Sequence, residues 1–156
     1  MTPASVPKYV LDTNLYIRAF RDAAMNEELQ RFHLLFAPFE YLSSVVAQEL
    51  IAGTVTPADR RALERNVLSV YRRRARILTP SAAVWERFGE VLAELTRKDG
   101  LDQRRMAKNL GNDILLALSC RDVGATLVTE NERDFAMIAA IARFKFTKPW
   151  PAPVRG

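Results

Sequence analysis

The chain has 156 residues, 49% of them apolar, with 23 Lys and Arg against 18 Asp and Glu, for a net charge of +5. This length suits one domain over residues 1–156, with a core at about 8–151 and a Pro-rich tail at 149–156. We expect no signal peptide and no membrane span, because the N-terminus is not apolar and no apolar run approaches about 18 residues. Cys120 is the only cysteine of this sequence, so it contains no intramolecular disulfide. We therefore expect a cytoplasmic protein, and the basic balance favours a polyanionic partner such as nucleic acid.

The first half of the chain alternates apolar strands with helices. Hydrophobic spacing predicts a strand at 8–11, a helix at 15–21, an amphipathic segment at 27–36 and a second strand at 39–44. A helix follows at 44–53, capped by Ser43 or Ser44 and ended by Gly53. The next helix begins at Thr56, with Pro57 at its first position and an acid three residues after the cap.

The second half continues the alternation. After a weak strand at 76–80, the pattern predicts a helix at 84–95, a polar loop at 97–111 and a buried helix at 112–123. A strand at 125–129, a turn at 130–134, a short helix at 135–142 and a last strand at 143–147 follow. Gly124 ends the buried helix. Strands alternating with helices indicate an α/β fold with a parallel sheet covered on both faces, and no internal repeat is present.

Four acids occupy unusual positions in this pattern. Asp12 ends the first strand in "YVLDTNLYI", and Glu49 lies on the apolar face of its helix. Asp113 begins the buried helix in line with its apolar residues, and Asp134 follows the strand "ATLVT". Because the carboxyl ends of parallel strands form the ligand crevice of an open sheet, we expect these four side chains to lie together.

Four neighbouring carboxylates repel one another unless protons or cations intervene. A divalent metal would offset this repulsion by binding several carboxylates at once. Ligation by oxygen alone, without a His/Cys cluster, favours Mg²⁺ or Mn²⁺ over zinc. The lone His33, in "RFHLLF", is interpreted as a packed or surface residue rather than a ligand.

Each acid also has an ordinary structural interpretation. Asp12 and Asp134 taken singly suit a cap or turn, and Asp113 suits a helix N-terminus, where negative charge is favourable. Glu49 has no capping role on an apolar helix face. The four together favour a functional site.

In order and spacing, the segments "YVLDTNLYI", "LSSVVAQELIAG" and "GNDILLALSCRDVGATLVTENERDF" and the closing strand resemble PIN-domain ribonucleases, especially VapC-type toxins of bacterial toxin–antitoxin pairs. The resemblance covers about 8–151. It implies a PIN-like three-layer fold, with a five-stranded, mainly parallel sheet between helices, and a metal-dependent endoribonuclease that is inhibited by an antitoxin and commonly forms a homodimer.

The resemblance also implies roles for particular residues. The catalytic and metal-binding acids of the family match Asp12, Glu49, Asp113 and Asp134, and its supporting polar residues match Asn14, Ser44, Thr129 and Asn131. The last two have an alternative role in shaping the turn. The acids would hold Mg²⁺ or Mn²⁺, which would activate a water for attack on an RNA phosphodiester.

Basic residues near the acids are candidate contacts for RNA phosphates. They lie in the polar segment before Asp113 and on the helix after Asp12, at Arg104, Arg105, Lys108, Arg18 and Arg21. The run "RRRAR" at 72–76 is interpreted as a solvated helix end.

Three alternatives stay open at this point. A strand-end aspartate also serves as the nucleophile of some phosphotransferases, although Asn14 stands where these have a second aspartate. An RNA-processing PIN nuclease that is not a toxin would carry the same acids. A catalytically silent RNA-binding or protein-binding PIN-like module would usually have lost one of them.

Overall fold

A computed structural model of the protein describes the backbone of residues 6–99 and 108–153, and the side chains of these residues except 99, 108 and 109. Five strands form one parallel sheet in the order β3-β2-β1-β4-β5. Their bounds are β1 Tyr9–Leu11, β2 Glu40–Ser43, β3 Ile77–Leu78, β4 Thr126–Val128 and β5 Lys145–Thr147. The predicted α/β fold with a five-stranded parallel sheet is confirmed.

Eight α-helices connect the strands within the described residues. Their bounds are α1 Thr13–Arg21, α2 Ala23–Phe36, α3 Ser44–Ala52, α4 Pro57–Leu63, α5 Ser69–Arg73, α6 Ala82–Asp99, α7 Lys108–Val123 and α8 Glu132–Ala139. A 3₁₀ turn, Ala37–Phe39, precedes β2. From β1 the chain runs to β2 and β3 on one side of the sheet, and it then crosses to β4 and β5 on the other side. Because connections between parallel strands are right-handed, the helices that join β1, β2 and β3 lie on one face and those that lead to β4 and β5 lie on the opposite face.

Helix starts follow the local sequence. The Ser43 side chain accepts the N–H of Val45 at 3.1 Å, so Ser43 rather than Ser44 is the cap of α3. At α4, the Thr56 side chain accepts the Asp59 N–H at 3.1 Å and the Asp59 carboxylate accepts the Thr56 N–H at 3.2 Å, which completes the expected capping box.

The helix beginning at Pro57 is not regular throughout. Residues Glu64–Leu68 form a π-helical turn between α4 and α5, whereas the sequence predicted one continuous α-helix. The wider turn rotates the residues that follow it, and four side chains of this region are buried, Leu63, Val67, Leu68 and Tyr71.

Several predicted boundaries are wrong. The segment predicted at 27–36 is α2, which begins at Ala23, and the short helix predicted at 135–142 is α8, which ends at Ala139. The helix predicted to start at 112 begins at Lys108, and α6 extends to Asp99, so both ends of the predicted loop 97–111 are helical. The predicted turn 130–134 is shorter, because α8 begins at Glu132. At α8, polar residues that resemble a turn in sequence, Glu132 and Asp134, occupy the first turn of the helix.

The hydrophobic core lies between the sheet and its helices. The strands contribute Val10, Leu11, Leu42, Leu127 and Val128, all at most 1% exposed. Buried helical residues from both halves of the chain pack around them, including Leu15, Val46, Ile114, Ala117, Phe135 and Ile138. No helix in the described ranges has the length and apolarity needed to cross a membrane.

Gly124 lies in the turn that leads into β4, and its conformation can be tested with Gly89 as a control. Gly124 has φ +69°, a conformation in which a side chain is strained, and Gly89 lies within α6; a Cβ at either would meet no atom within 4 Å. We expect Gly124→Ala to lower the free energy of unfolding by about 1 kcal/mol and Gly89→Ala to raise it by about 0.5 kcal/mol. Urea denaturation of both variants measures this, and a change of the same sign in both would contradict it.

Candidate active site

The sheet brings the ends of β1 and β4 side by side. Leu11 pairs with Val128, and the Asp12 N–H donates to the Val128 carbonyl at 3.0 Å. The connections that leave the carboxyl ends of β1 and β4 run to opposite sides, towards β2 and towards β5, so a crevice forms beyond these two ends. Asp12 and Thr129 are the first residues beyond these strands and therefore face each other across this crevice.

Hydrogen bonds hold both oxygens of the buried Asp12 carboxylate. The Thr13 N–H donates to Oδ1 at 2.8 Å, and the Thr129 hydroxyl donates to Oδ2 at 2.8 Å. Asp12 is thus the N-cap of α1, as its ordinary interpretation suggested, and also a member of the acidic group. Burial raises the pKa of Asp12 despite these hydrogen bonds, and the nearby Glu130 adds to the rise.

Thr13 connects Asp12 to Glu49 and was not predicted from the sequence. Its buried side chain donates from Oγ1 to Glu49 Oε1 at 3.2 Å, while its N–H holds Asp12. A single residue at the start of α1 therefore positions one carboxylate from β1 and another from α3. The signal was present in the sequence, since Thr13 directly follows the strand-end acid.

Asp113 shows that the four acids share one region. Burial raises its pKa to about 7, and repulsion from Asp12, Glu49 and Asp134 contributes to the rise. Asp113 lies in the second turn of α7, which begins at Lys108, so the alternative that it caps this helix is wrong. The structure therefore places Asp113 close enough to the other three predicted acids for their charges to repel its own.

Asp134 is held from the loop after β4. The Asn131 side-chain amide donates to Asp134 Oδ2 at 2.9 Å, and the Asn131 N–H donates to Thr129 Oγ1 at 3.0 Å. Thr129 thus accepts one hydrogen bond and donates another to Asp12. Thr129 and Asn131 form the turn and also contact the acids, so both interpretations of these residues describe their positions.

The two other predicted supporting residues are placed differently. Asn14 is exposed, and Thr13 and Thr129 supply the hydrogen bonds that hold Asp12. Ser44 is half-buried at the start of α3, where Ser43 is the cap. Among the described residues, neither Asn14 nor Ser44 supplies a hydrogen bond to Asp12.

The candidate phosphate contacts are only partly described. Arg18 and Arg21 are exposed on α1, and Arg18 forms an ion pair with Glu130, the residue that follows Thr129. Arg104 and Arg105 lie outside the described residues, as does the side chain of Lys108.

Neither the histidine nor the cysteine belongs to the acidic group. His33 Nδ1 lies 2.7 Å from Oε1 of the buried Glu40. Glu40 is the first residue of β2, so it lies at the amino ends of the strands, whereas the acids lie beyond the carboxyl ends. Cys120 is completely buried, and burial raises the pKa of its thiol to about 12. The thiol stays protonated at neutral pH and supplies no thiolate ligand.

The donor set suits a hard divalent cation by its chemistry. The acids offer only oxygen ligands, and a cation would relieve the repulsion that raises the pKa of Asp113. As the described side chains lie, no three of the His, Cys, Asp or Glu residues are placed to hold a metal ion by themselves. A metal bound at these acids would therefore need water ligands as well, as Mg²⁺ usually has.

Comparison with known proteins agrees with this geometry. The sequence matches the PIN domain family over residues 9–141, a range that includes all four acids. The chain belongs to the PIN domain family. A comparison with curated proteins gives no match.

Solved structures share the fold of this PIN domain over nearly its whole length. VapBC from Salmonella typhimurium, solved bound to DNA, is 23% identical with a TM-score of 0.70, over 92% of this chain and 98% of that one. VapBC2 from Rickettsia felis, bound to a DNA fragment from their promoter, is 25% identical with a TM-score of 0.63, again over 92% and 98%. A toxin-antitoxin complex from Klebsiella pneumoniae is 18% identical with a TM-score of 0.59, over 93% and 100%.

The raised pKa of Asp113 predicts how stability depends on pH without metal. Its folded value of about 7 exceeds the ordinary 3.8, so the folded state binds this proton more tightly than the unfolded state does. This contribution to stability is complete below about pH 4 and is lost as pH rises to 7. In EDTA, we expect Asp113→Asn to melt at a higher temperature than wild type at pH 8 and to differ less at pH 5.

The matched control is Asp122→Asn, which removes an exposed aspartate from the same helix. This variant should melt like wild type at both pH values. Thermal melts of the three proteins in EDTA measure the effect, and an Asp113→Asn protein that is less stable than wild type at pH 8 would contradict it.

Proposed function

We propose that this PIN domain is a Mg²⁺- or Mn²⁺-dependent endoribonuclease that hydrolyses RNA phosphodiester bonds. The observation that supports it most is the electrostatic coupling of Asp113 to three other carboxylates at the carboxyl edge of the sheet. The family match supports nuclease chemistry at these acids.

Asp12 and Asp113 would hold the metal directly, and Glu49 and Asp134 would hold it directly or through water. The bound metal supplies charge neutralisation and a more acidic water. Thr13 and Thr129 fix the orientation of Asp12, and Thr13 also fixes Glu49. A water held among these carboxylates would attack the phosphorus in line and pass its proton to a carboxylate oxygen, while the bond to the 3′ oxygen breaks and that oxygen takes up a proton.

The charge distribution supports an anionic substrate. Four of the 18 acidic residues form the site, so the rest of the chain is more basic than the net charge of +5 indicates. Arg18 and Arg21 are candidate phosphate contacts, together with Arg104, Arg105 and Lys108. The Arg18 ion pair with Glu130 is exposed, and such pairs contribute little, so an RNA phosphate can compete for Arg18.

We propose a toxin role, with an antitoxin as the protein partner. The support is the likeness to VapBC structures and to a toxin-antitoxin complex. A groove of about 510 Å³ between α1, α3 and α4 reaches Glu49 and is lined by Phe20, Leu50, Val55 and Leu63. Phe20 and Val55 are 55% and 88% exposed, so an apolar partner helix would cover them beside the acids.

Assembly as a homodimer is part of the same proposal, and the predicted contact region is 56–95. Trp85 in this region is 53% exposed and packs edge-on against Phe88, with ring centroids 5.9 Å apart. Phe88 is partly buried against the core, so Trp85 is the exposed member of the pair, and aromatic residues are enriched at protein interfaces.

The alternatives have less support. A phosphotransferase of this type carries a second aspartate where this chain has the exposed Asn14, and its mechanism gives Glu49 no role. A silent binding module would not need Thr13 and Thr129 to position acids that repel one another. A PIN nuclease that processes RNA would share this chemistry, and an antitoxin encoded next to the gene would distinguish the toxin from it.

The proposal predicts a metal requirement. Purified protein should cleave single-stranded RNA in Mg²⁺ or Mn²⁺ and lose this activity in EDTA, because the repelling carboxylates need a cation. Asp12→Asn should abolish cleavage while leaving the metal-free melting temperature equal or higher, and Asp122→Asn should cleave like wild type. Full activity in EDTA, or in Asp12→Asn, would refute the assignment.

Thr13 provides a test of positioning. Thr13→Val keeps the volume but removes the hydroxyl that holds Glu49, whereas Thr13→Ser keeps the hydroxyl. We expect Thr13→Val to weaken Mg²⁺ binding by about tenfold, as loss of an outer-shell partner does, with Thr13→Ser close to wild type. The measurement is the rise in melting temperature across a Mg²⁺ titration. If the melting temperatures of Thr13→Val and Thr13→Ser rise equally with Mg²⁺, the hydroxyl has no role in metal binding and Thr13 only packs.

A further inference from the structure

A cavity of about 360 Å³ lies beside the acidic group, on the side of β4 and β5. Two of its lining residues, Arg18 and Glu130, connect it to the acids, since Glu130 follows Thr129 and contributes to the raised pKa of Asp12. The other lining residues come from α2, α8 and the segment after β5, and they are Met25, Glu28, Glu132, Lys148, Pro149 and Trp150. None of them has a role in the proposed hydrolysis.

An aromatic ring fixed by two contacts forms part of this cavity. Trp150 packs on Phe32 with ring centroids 5.2 Å apart, and its indole N–H donates to Glu28 Oε2 at 3.2 Å. A held ring next to a nuclease site is suited to stacking with a nucleobase, the usual way in which proteins bind unpaired RNA bases.

The carboxylates of the cavity differ in their partners. Glu130 is paired with Arg18, and Glu132 is paired with Lys148 at 3.5 Å. Glu28 is exposed and, among the described residues, accepts only the indole N–H of Trp150. Since a carboxylate can accept about four hydrogen bonds, Glu28 keeps most of its capacity for a ligand.

We propose that this cavity is a subsite for a guanine base of single-stranded RNA, with the base stacked on Trp150 and its Watson–Crick edge on Glu28. Guanine presents two N–H donors side by side, at N1 and N2, which match a carboxylate that only accepts. Adenine and cytosine present one amino group next to a ring nitrogen acceptor, and uracil presents one N–H between two carbonyls. Each of these three bases would bring an acceptor against the carboxylate.

The cations of the cavity suit the backbone of the same nucleotide. Arg18 and Lys148 line it and are held in ion pairs between exposed side chains, which a phosphate can replace. With the base on Trp150, the chain would pass Arg18 and Glu130 to reach Asp12. If the proposed function is correct, RNA bound in this way would be cleaved next to the guanosine, and only that consequence rests on the proposed function.

Binding is tested without turnover, in EDTA. The probes are uridine hexaribonucleotides with a single central guanosine, adenosine or cytidine, or none, and filter binding measures their affinities. We expect the guanosine hexamer to bind about tenfold more tightly than the others, the discrimination typical of one bidentate contact. Trp150 fluorescence, read in a Trp85→Phe protein that leaves one tryptophan, should be quenched most by the guanosine hexamer.

Two neighbouring acids on α2 give a matched pair of variants. Glu28→Gln should lose the guanosine preference, because an amide cannot accept both N–H groups, while Glu27→Gln, also exposed but outside the cavity, should keep it. Both changes are at exposed positions and leave the packing of Trp150 on Phe32 in place. Equal affinity for the four hexamers, or a preference that survives Glu28→Gln, overturns the subsite.

Cleavage of the same hexamers in Mg²⁺ separates this inference from the proposed function. A guanosine preference in EDTA without cleavage in Mg²⁺ would leave the subsite standing and refute the nuclease. Cleavage of all hexamers at equal rates, without a guanosine preference in binding, would support the nuclease and refute the subsite.

Discussion

Repulsion among carboxylates at one edge of a parallel sheet is the constraint on which the structure of this site depends. Burial, together with repulsion from three other acids, raises the pKa of Asp113 to about 7, where 3.8 is ordinary. The fold keeps the acids there because each is anchored by a regular element. Asp12 and Asp134 are held by hydrogen bonds from the β1–α1 junction and the loop after β4, while Glu49 and Asp113 project from α3 and α7.

Hydroxyl groups mediate this arrangement. Thr13 and Thr129 both donate to acids, and Thr129 also accepts the N–H of Asn131, so a continuous chain of hydrogen bonds links Glu49, Asp12 and the turn that holds Asp134. Neutral donors of this kind orient carboxylates without neutralising them. The site therefore keeps its negative charge for a cation while its side chains stay in defined positions.

The sheet and the four acids could be predicted from the sequence because they follow local rules. Short apolar runs marked the strands, and Glu49 was an acid on an otherwise apolar helix face. Thr13 was missed because a threonine at a helix start has an ordinary local role, and its contact with Glu49 joins residues 36 positions apart. The helical conformation of the residues from Lys108 to Asn112 was missed because this segment, with its Asn and Gly residues, resembles a loop in sequence.

The single cysteine has a practical consequence for work on this protein. Cys120 is completely buried behind the acids, and its thiol stays protonated well above neutral pH, so thiol reagents that attack the thiolate will leave the folded protein unmodified. A cysteine introduced at an exposed position such as Leu34, which is 85% exposed, would then be the one reactive thiol. The natural sequence thus already permits attachment of a spectroscopic label at a chosen site without first removing a native cysteine.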